Sequence, residues 1–240
     1  LLEAKKRAIP VFSELEMALS FMPKSIRVFA VTGTNGKTTT TALLGEILKE
    51  HALRENKGRQ VHICGNIGNP VSLCAPAVKS GDDIVIEVSS YQLEDSTYFR
   101  PHYACILNVT PDHLDHHGGM KGYIKAKAKV FKNQRENDFL VVNGADTVCA
   151  QLVEKAKSEV LAFSTHPKHL LKTDVFFDGD ELIFSEGHQI RPPHLKGIHN
   201  VENAMAAALM ALAAGVKADT IQRVFDRFEA MEHRIEQFAY

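Results

Sequence analysis

Gly33-Thr34-Asn35-Gly36-Lys37-Thr38-Thr39 lies between an apolar run at 26–31 and a stretch whose apolar residues, Leu43, Leu44, Ile47 and Leu48, recur at helical spacing. The strand must sit in a sheet, and the helix must pack back on it. A turn of this kind points backbone N–H groups at an anion, and the helix N-terminus adds the positive end of its dipole. Lys37 is then placed to reach the β- and γ-phosphates of a nucleotide, and the Thr38 hydroxyl to ligate Mg²⁺. The full phosphate-loop pattern has a glycine five residues before Gly36, where this chain has Val31. An ordinary strand-to-helix turn is therefore the competing reading, and the register of strand, turn and helix favours the nucleotide.

The same alternation continues along the chain. Strands are expected at 26–31, 84–88, 103–109, 139–142 and 160–163, and helices at 38–51, 119–133, 146–157, 199–214 and 218–229. This pattern predicts an α/β fold, a mostly parallel sheet flanked by helices. Turn signals at Asp178-Gly179-Asp180 and Glu186-Gly187 add a small antiparallel meander over 174–190. Residues 1–25 do not read as the start of a domain; Glu14 to Phe21 has the pattern of a helical turn or two.

Composition excludes several classes. The 28 basic and 29 acidic residues leave a net charge of −1, so no global field draws nucleic acid or an anionic membrane. No apolar run nears the roughly 20 residues that span a bilayer, and no signal-peptide core follows the basic cluster at Lys5-Lys6-Arg7. Cys64, Cys74, Cys105 and Cys149 form no CxxC pair and read as reduced, buried small hydrophobes, as expected of a cytoplasmic protein. Nothing in the sequence demands an obligate protein partner or sets an oligomeric state.

Strand ends are where ligands sit in open α/β sheets. Glu87 closes the run Asp83-Ile84-Val85-Ile86-Glu87, where a carboxylate needs a partner; Mg²⁺ and a salt bridge are the two candidates. Asn108 to His117 concentrates His113, His116 and His117 with Asp112 and Asp115, which suggests metal or acid–base work without a defined zinc spacing. On a helical wheel Lys121, Lys125, Lys129 and Lys132 share one face, while Lys127 falls on the other among Tyr123, Ile124, Val130 and Phe131. Such a lysine either snorkels or has a lowered pKa and reacts with a small electrophile such as CO₂. The carbamate so formed is a carboxylate-like Mg²⁺ ligand. Asn66 sits in the glycine-bracketed turn Gly65-Asn66-Ile67-Gly68, and Asn200 and Asn203 share a face of an alanine-rich helix, suited to an adenine edge or to capping. Arg234 is a candidate phosphate contact.

Together these segments resemble the Mur ligase family of ATP-dependent amide-bond ligases in peptidoglycan precursor synthesis. The loop at Gly33–Thr39 is similar to the family's ATP loop, which also lacks the first glycine. Asn108 to His117 resembles its Asn-x-x-x-Asp-His-x-Asp segment, and Tyr123-x-x-x-Lys127 with Val130-Phe131 the segment that holds its carbamylated lysine. His199-Asn200-x-x-Asn203-Ala204 is similar to the adenine segment, and His233-Arg234 to the motif that ends the domain. The run Ser89-Ser90-Tyr91-Gln92-Leu93-Glu94 is most like the members that add D-glutamate to UDP-N-acetylmuramoyl-L-alanine.

The resemblance implies a bacterial cytoplasmic enzyme using ATP and Mg²⁺ at two sites. Lys37 and the rest of the loop would bind ATP with Asn200, Asn203 and Arg234. Thr38 and Glu87 would hold one Mg²⁺, and His113 and carbamylated Lys127 the other. Asn66, Ser89 and Gln92 would contact the carboxylate substrate. It also implies that residues 1–25 are the remnant of a uridine-binding domain, that 26–240 form the central ATPase domain, and that this core is impaired alone. Two alternatives stay open: an ATP-binding module without ligase activity, and a ligase similar to folylpolyglutamate synthase.

Overall fold

Nine strands form a single sheet in the computed structural model, which describes residues 2–55, 58–166 and 169–229. They are β1 (Arg27–Thr32), β2 (Val61–Gly65), β3 (Asp83–Glu87), β4 (Tyr103–Ile106), β5 (Phe139–Asn143), β6 (Glu159–Ser164), β7 (Val175–Phe177), β8 (Leu182–Phe184) and β9 (Gln189–Ile190). Their spatial order is β2-β3-β1-β4-β5-β6-β7-β8-β9. Pairing is parallel from β2 to β7 and antiparallel from β7 to β9. The α/β fold and the terminal meander expected from sequence are both present.

The helices are α1 (Leu2–Lys6), α2 (Glu14–Ser20), α3 (Lys37–Glu55), α4 (Val71–Cys74), α5 (Ser90–Glu94), α6 (Leu114–His117), α7 (Met120–Ala128), α8 (Thr147–Leu152), α9 (Ile198–Ala213) and α10 (Ala218–Phe225). The central strands are apolar on both faces because both are covered. Phe29, Val31, Val85, Cys105 and Val141 enter one core, shared with Leu43, Leu44 and Ile47 of α3 and the alanine-rich face of α9. Their alternating neighbours Val28, Ala30, Ile84, Ile86, Ala104, Ile106, Leu140 and Val142 enter the other. Leu93 of α5, Tyr123 of α7 and Leu152 of α8 close that second core. Burial pushes the thiols of Cys64, Cys105 and Cys149 well above their ordinary value, so they act as small hydrophobes.

Several boundaries differ from the periodicity reading. The helix expected over 119–133 stops at Ala128, and tight turns follow in which Lys129, Val130, Phe131 and Lys132 each donate to the carbonyl three residues back. Three- and four-residue repeats look alike in a side-chain pattern, so the tightening is invisible to it. Edge strand β2 was not expected, since Val61-His62-Ile63-Cys64-Gly65 is short and only half-buried. Helices α5 and α6 are too short for a 3.6-residue period to register.

Residues 13–22 do not stand apart from the sheet. Leu15, Ala18 and Met22 share the second core with Val28. The buried Glu16 carboxylate accepts N–H bonds from Thr97 (2.6 Å), Phe99 (2.8 Å) and Tyr98. Glu16→Ala strands these donors and is expected to cost about 2–3 kcal/mol, the worth of a charged hydrogen bond plus one unsatisfied group. Urea unfolding should show a lower midpoint with an unchanged slope.

Candidate active site

The chain runs from β1 out to β2, returns through β3 and crosses β1 to β4. Direction therefore reverses around β1, the position where α/β sheets open a crevice at their strand ends. Register fixes the neighbours: Val31 pairs with Glu87, and Thr32 with Ile106. The turn after β1 is flanked by Glu87 on one side and by the segment after Ile106 on the other.

That second flank holds the turn in shape. Thr34 N–H donates to the Asn108 carbonyl (3.0 Å), and Asn35 N–H to Asn108 Oδ1 (2.9 Å). Asn108 Nδ2 returns a bond to the Asn35 carbonyl (3.2 Å). The Thr34 hydroxyl donates to the Thr110 carbonyl (3.1 Å), accepts from Thr110 N–H (3.0 Å) and lies 3.1 Å from the Tyr123 hydroxyl. Gly36 has φ +85°, and a Cβ there would run into the Asn203 side chain. Glycine thus meets two demands at this position, backbone conformation and close approach.

Two lysines converge on one carbonyl oxygen. Lys37 Nζ donates to Thr34 O (2.8 Å) and Gly33 O (3.2 Å), and Lys127 Nζ donates to the same Gly33 O (2.7 Å). Lys127 is 1% exposed and its Nζ sits 4.6 Å from the centroid of the Tyr123 ring. Burial, and then the charge of Lys37, lower its pKa from 10.5 to about 7. At neutral pH a large share of this amine carries a free electron pair. Beside it the backbone donors of the turn and the start of α3 make a site for a multiply charged anion.

Glu87 is 1% exposed. Its Oε2 accepts from the Thr38 hydroxyl (3.1 Å) and its Oε1 from Asn66 Nδ2 (3.0 Å). Both donors are neutral, and among the described residues no cation lies within ion-pair distance of this carboxylate. A buried charge held only by neutral groups fits a divalent cation. Among the described residues the salt bridge considered from sequence is not formed. Asn66 reaches Glu87 because its N–H also donates to the Glu87 carbonyl (2.8 Å), past the close approach of Gly65 to the same strand end.

The remaining candidates are placed variously. Ser89 and Gln92 form a capping box on α5: Ser89 Oγ accepts from Gln92 N–H, and Gln92 Oε1 accepts from Ser89 N–H (3.0 Å). That pairing accounts for both residue types without a ligand. His113 is half-exposed and caps α6 in the left-handed region at φ 51°, a costly conformation for a non-glycine residue. Asn203 is buried and braces the loop at Gly36 while donating to Asn200 Oδ1 (3.2 Å); Asn200 donates to the Lys196 carbonyl. Thr39 continues into the first turn of α3. Arg234 lies outside the described residues. The sequence places Asn108 inside an expected strand 103–109 and at the head of the Asn-x-x-x-Asp-His-x-Asp segment; the strand ends at Ile106, and the brace on the turn depends on the pairing of β1 with β4, which has no local signal.

The sequence pattern of the Mur ligase middle domain matches residues 31–211. The chain is 54% identical over 97% of its length to UDP-N-acetylmuramoylalanine--D-glutamate ligase of Elusimicrobium minutum, covering 51% of that protein. It is 41% identical over 99% of its length to the ligase of the same name from Koribacter versatilis, again covering 51%. Among solved structures, MurF from Acinetobacter baumannii superposes with a TM-score of 0.69 at 26% identity, over 88% of this chain and 48% of that one. The chain spans about half the length of the curated relatives it matches. No described helix is long and apolar enough to cross a membrane. A phosphate-type turn braced from β4, a buried carboxylate and a buried lysine around it, and a middle-domain match over most of the sheet together place the chain in the Mur ligase family.

Proposed function

We propose that this chain is the nucleotide-holding core of an ADP-forming ligase that joins D-glutamate to UDP-N-acetylmuramoyl-L-alanine. The observation that carries the reading is the convergence of Lys37 and Lys127 on Gly33 O, beside a buried Glu87 that has no cationic partner among the described residues. The names of the similar ligases supply the substrate pair. Residues 1–25 would be the end of a preceding uridine-binding domain.

In this reading the substrate carboxylate oxygen forms a bond to the γ-phosphorus of ATP as the bond to ADP breaks. The D-glutamate nitrogen then attacks the acyl carbon, loses a proton and expels phosphate. Lys37 exchanges its bonds to the loop carbonyls for β- and γ-phosphate oxygens, and the N–H groups from Gly36 to Thr38 hold the same oxygens, Asn35 N–H being committed to Asn108. Thr38 and Glu87 would hold one Mg²⁺, with His113 and the carbamate of Lys127 as candidates for a second. Mg²⁺ there supplies charge neutralisation on the phosphates. Asn66 orients Glu87. Asn203 approaches the loop at Gly36 and is bonded to Asn200, and the two remain together the candidates for the adenine edge.

The test compares this chain with a protein of the relatives' full length. This chain should bind ATP in the presence of Mg²⁺, and ADP release should require both UDP-N-acetylmuramoyl-L-alanine and D-glutamate in the longer protein. Failure of this chain to bind ATP removes the reading. Release that ignores both substrates favours a plain ATP-binding module instead.

A further inference from the structure

Outside the phosphate loop, two histidines of α6 and one glutamate of α5 bring their ligating atoms together. Glu94 Oε2 lies 2.7 Å from His116 Nε2 and 3.5 Å from His117 Nδ1, and all three donors fall within 4.8 Å of one another. We propose that Glu94, His116 and His117 form a binding site for an imidazole-preferring divalent transition metal of the Zn²⁺ class, distinct from the Mg²⁺ position at Thr38 and Glu87. The proposal does not depend on the ligase reading.

Donor chemistry selects the metal. Two imidazoles and one carboxylate suit Zn²⁺, Co²⁺ or Ni²⁺, whereas Mg²⁺ prefers all-oxygen surroundings. Bonds of about 2.1 Å in a tetrahedron put neighbouring ligand atoms about 3.4 Å apart. The Glu94–His117 separation is already close to that value, the Glu94–His116 pair needs to open by under an ångström, and the two histidine nitrogens, within 4.8 Å of each other, need to close by at most about 1.4 Å. One position then remains for water.

The outer contacts are those a ligating histidine needs. His117 Nε2 is 3.0 Å from Ser90 Oγ, a buried hydroxyl that can accept its N–H and leave the Nδ1 electron pair facing Glu94. The His117 side chain is 1% exposed, so its ring is fixed; those of His116 and Glu94 are 47% and 42% exposed and leave an entry path. The Tyr91 ring packs on His116 at 4.4 Å and on His117 at 5.5 Å. Lys129 Nζ gives its hydrogen bond to the Glu94 carbonyl and not to the carboxylate. A metal here would fasten α5 to α6, the two short helices that carry Ser89, Gln92 and the backbone next to His113. Local sequence spacing could not show the site, because the glutamate lies 22 residues before the nearer histidine.

Co²⁺ titration of the whole chain tests this, read by the visible d–d band of a low-coordinate ion. One saturable Co²⁺ per chain is expected, displaced by Zn²⁺ and not by excess Mg²⁺. His116→Ala, and separately Glu94→Gln, should weaken binding about tenfold or more while far-ultraviolet dichroism stays that of the parent. His113→Ala should leave the band in place. Absence of saturable binding, survival of the band in the Glu94→Gln/His116→Ala double variant, or its loss in His113→Ala alone would overturn the site. His116→Asn keeps a polar side chain at the surface and serves as the second variant if either of the others fails to fold.

Discussion

Lys127→Ala is expected to lower ligation by on the order of a thousandfold in a full-length ligase, the scale of losing a preorganised charge contact in a closed site. Acetate should restore part of that activity, because a small carboxylate can occupy the place of the carbamate. Lys127→Arg should not be rescued, since the guanidinium keeps its charge and forms no carbamate. Retention of activity in Lys127→Ala would remove the residue from the mechanism. A loss that acetate leaves unchanged would argue for a structural amine bonded to Gly33 O.

An apolar side chain of similar size at this position has an opposite effect on stability. The drop in pKa from 10.5 to about 7 corresponds to on the order of 4–5 kcal/mol of disfavoured charge burial. The sign follows from proton counting. Between about pH 7 and 10.5 the unfolded chain binds more protons at this lysine than the folded one, so stability rises with pH across that window. Below about pH 7 the whole penalty is present; above 10.5 it is gone. Lys127→Met fills much of the space without the charge. It should be more stable than the parent at neutral pH and lose that slope, with the two chains converging at high pH. Urea midpoints measured from pH 6 to 10 check this, and parallel curves would show that Lys127 is not held neutral by its surroundings.

The sequence exposed what is local and hid what is not. The strand, turn and helix around Gly33 to Thr39 are contiguous, and the apolar runs of β1, β3, β4 and β5 are buried on both faces, so each was readable. Lys127 could be placed inside because one wheel position among apolar residues suffices. Its partner could not: Gly33 O is 94 residues away and depends on how α7 lies across the β1 turn. Ser89 and Gln92 read as substrate contacts by resemblance, yet their three-residue spacing is also that of a capping box, which is what they form. Asn200 and Asn203 shared a face as expected. What spacing could not convey is that Asn203 faces Gly36, because that contact joins α9 to the far end of the sheet's central turn.

Glu87→Gln is expected to abolish the Mg²⁺ dependence of ATP binding, a loss on the order of a hundredfold at saturating Mg²⁺. The amide is nearly isosteric, so Asn66 can still donate to its oxygen, and the Thr38 hydroxyl can turn to accept from its nitrogen. What disappears is the charge. Without metal, the parent keeps an anion 1% exposed between two neutral donors, a state that costs free energy in the absence of a counter-charge. Gln at this position should therefore leave metal-free stability unchanged or raise it by about 1–3 kcal/mol, while Mg²⁺ with ATP should stabilise the parent far more than the variant. Thermal unfolding with and without Mg²⁺–ATP separates these effects. Destabilisation of the metal-free variant would mean that Glu87 is satisfied by its neighbours and serves the fold. Equal stabilisation of both chains by Mg²⁺–ATP would mean that the cation is held elsewhere. Lys127 and Glu87 carry opposite charges into the interior at the two flanks of the turn that would receive the nucleotide, and among the described residues neither forms an ion pair.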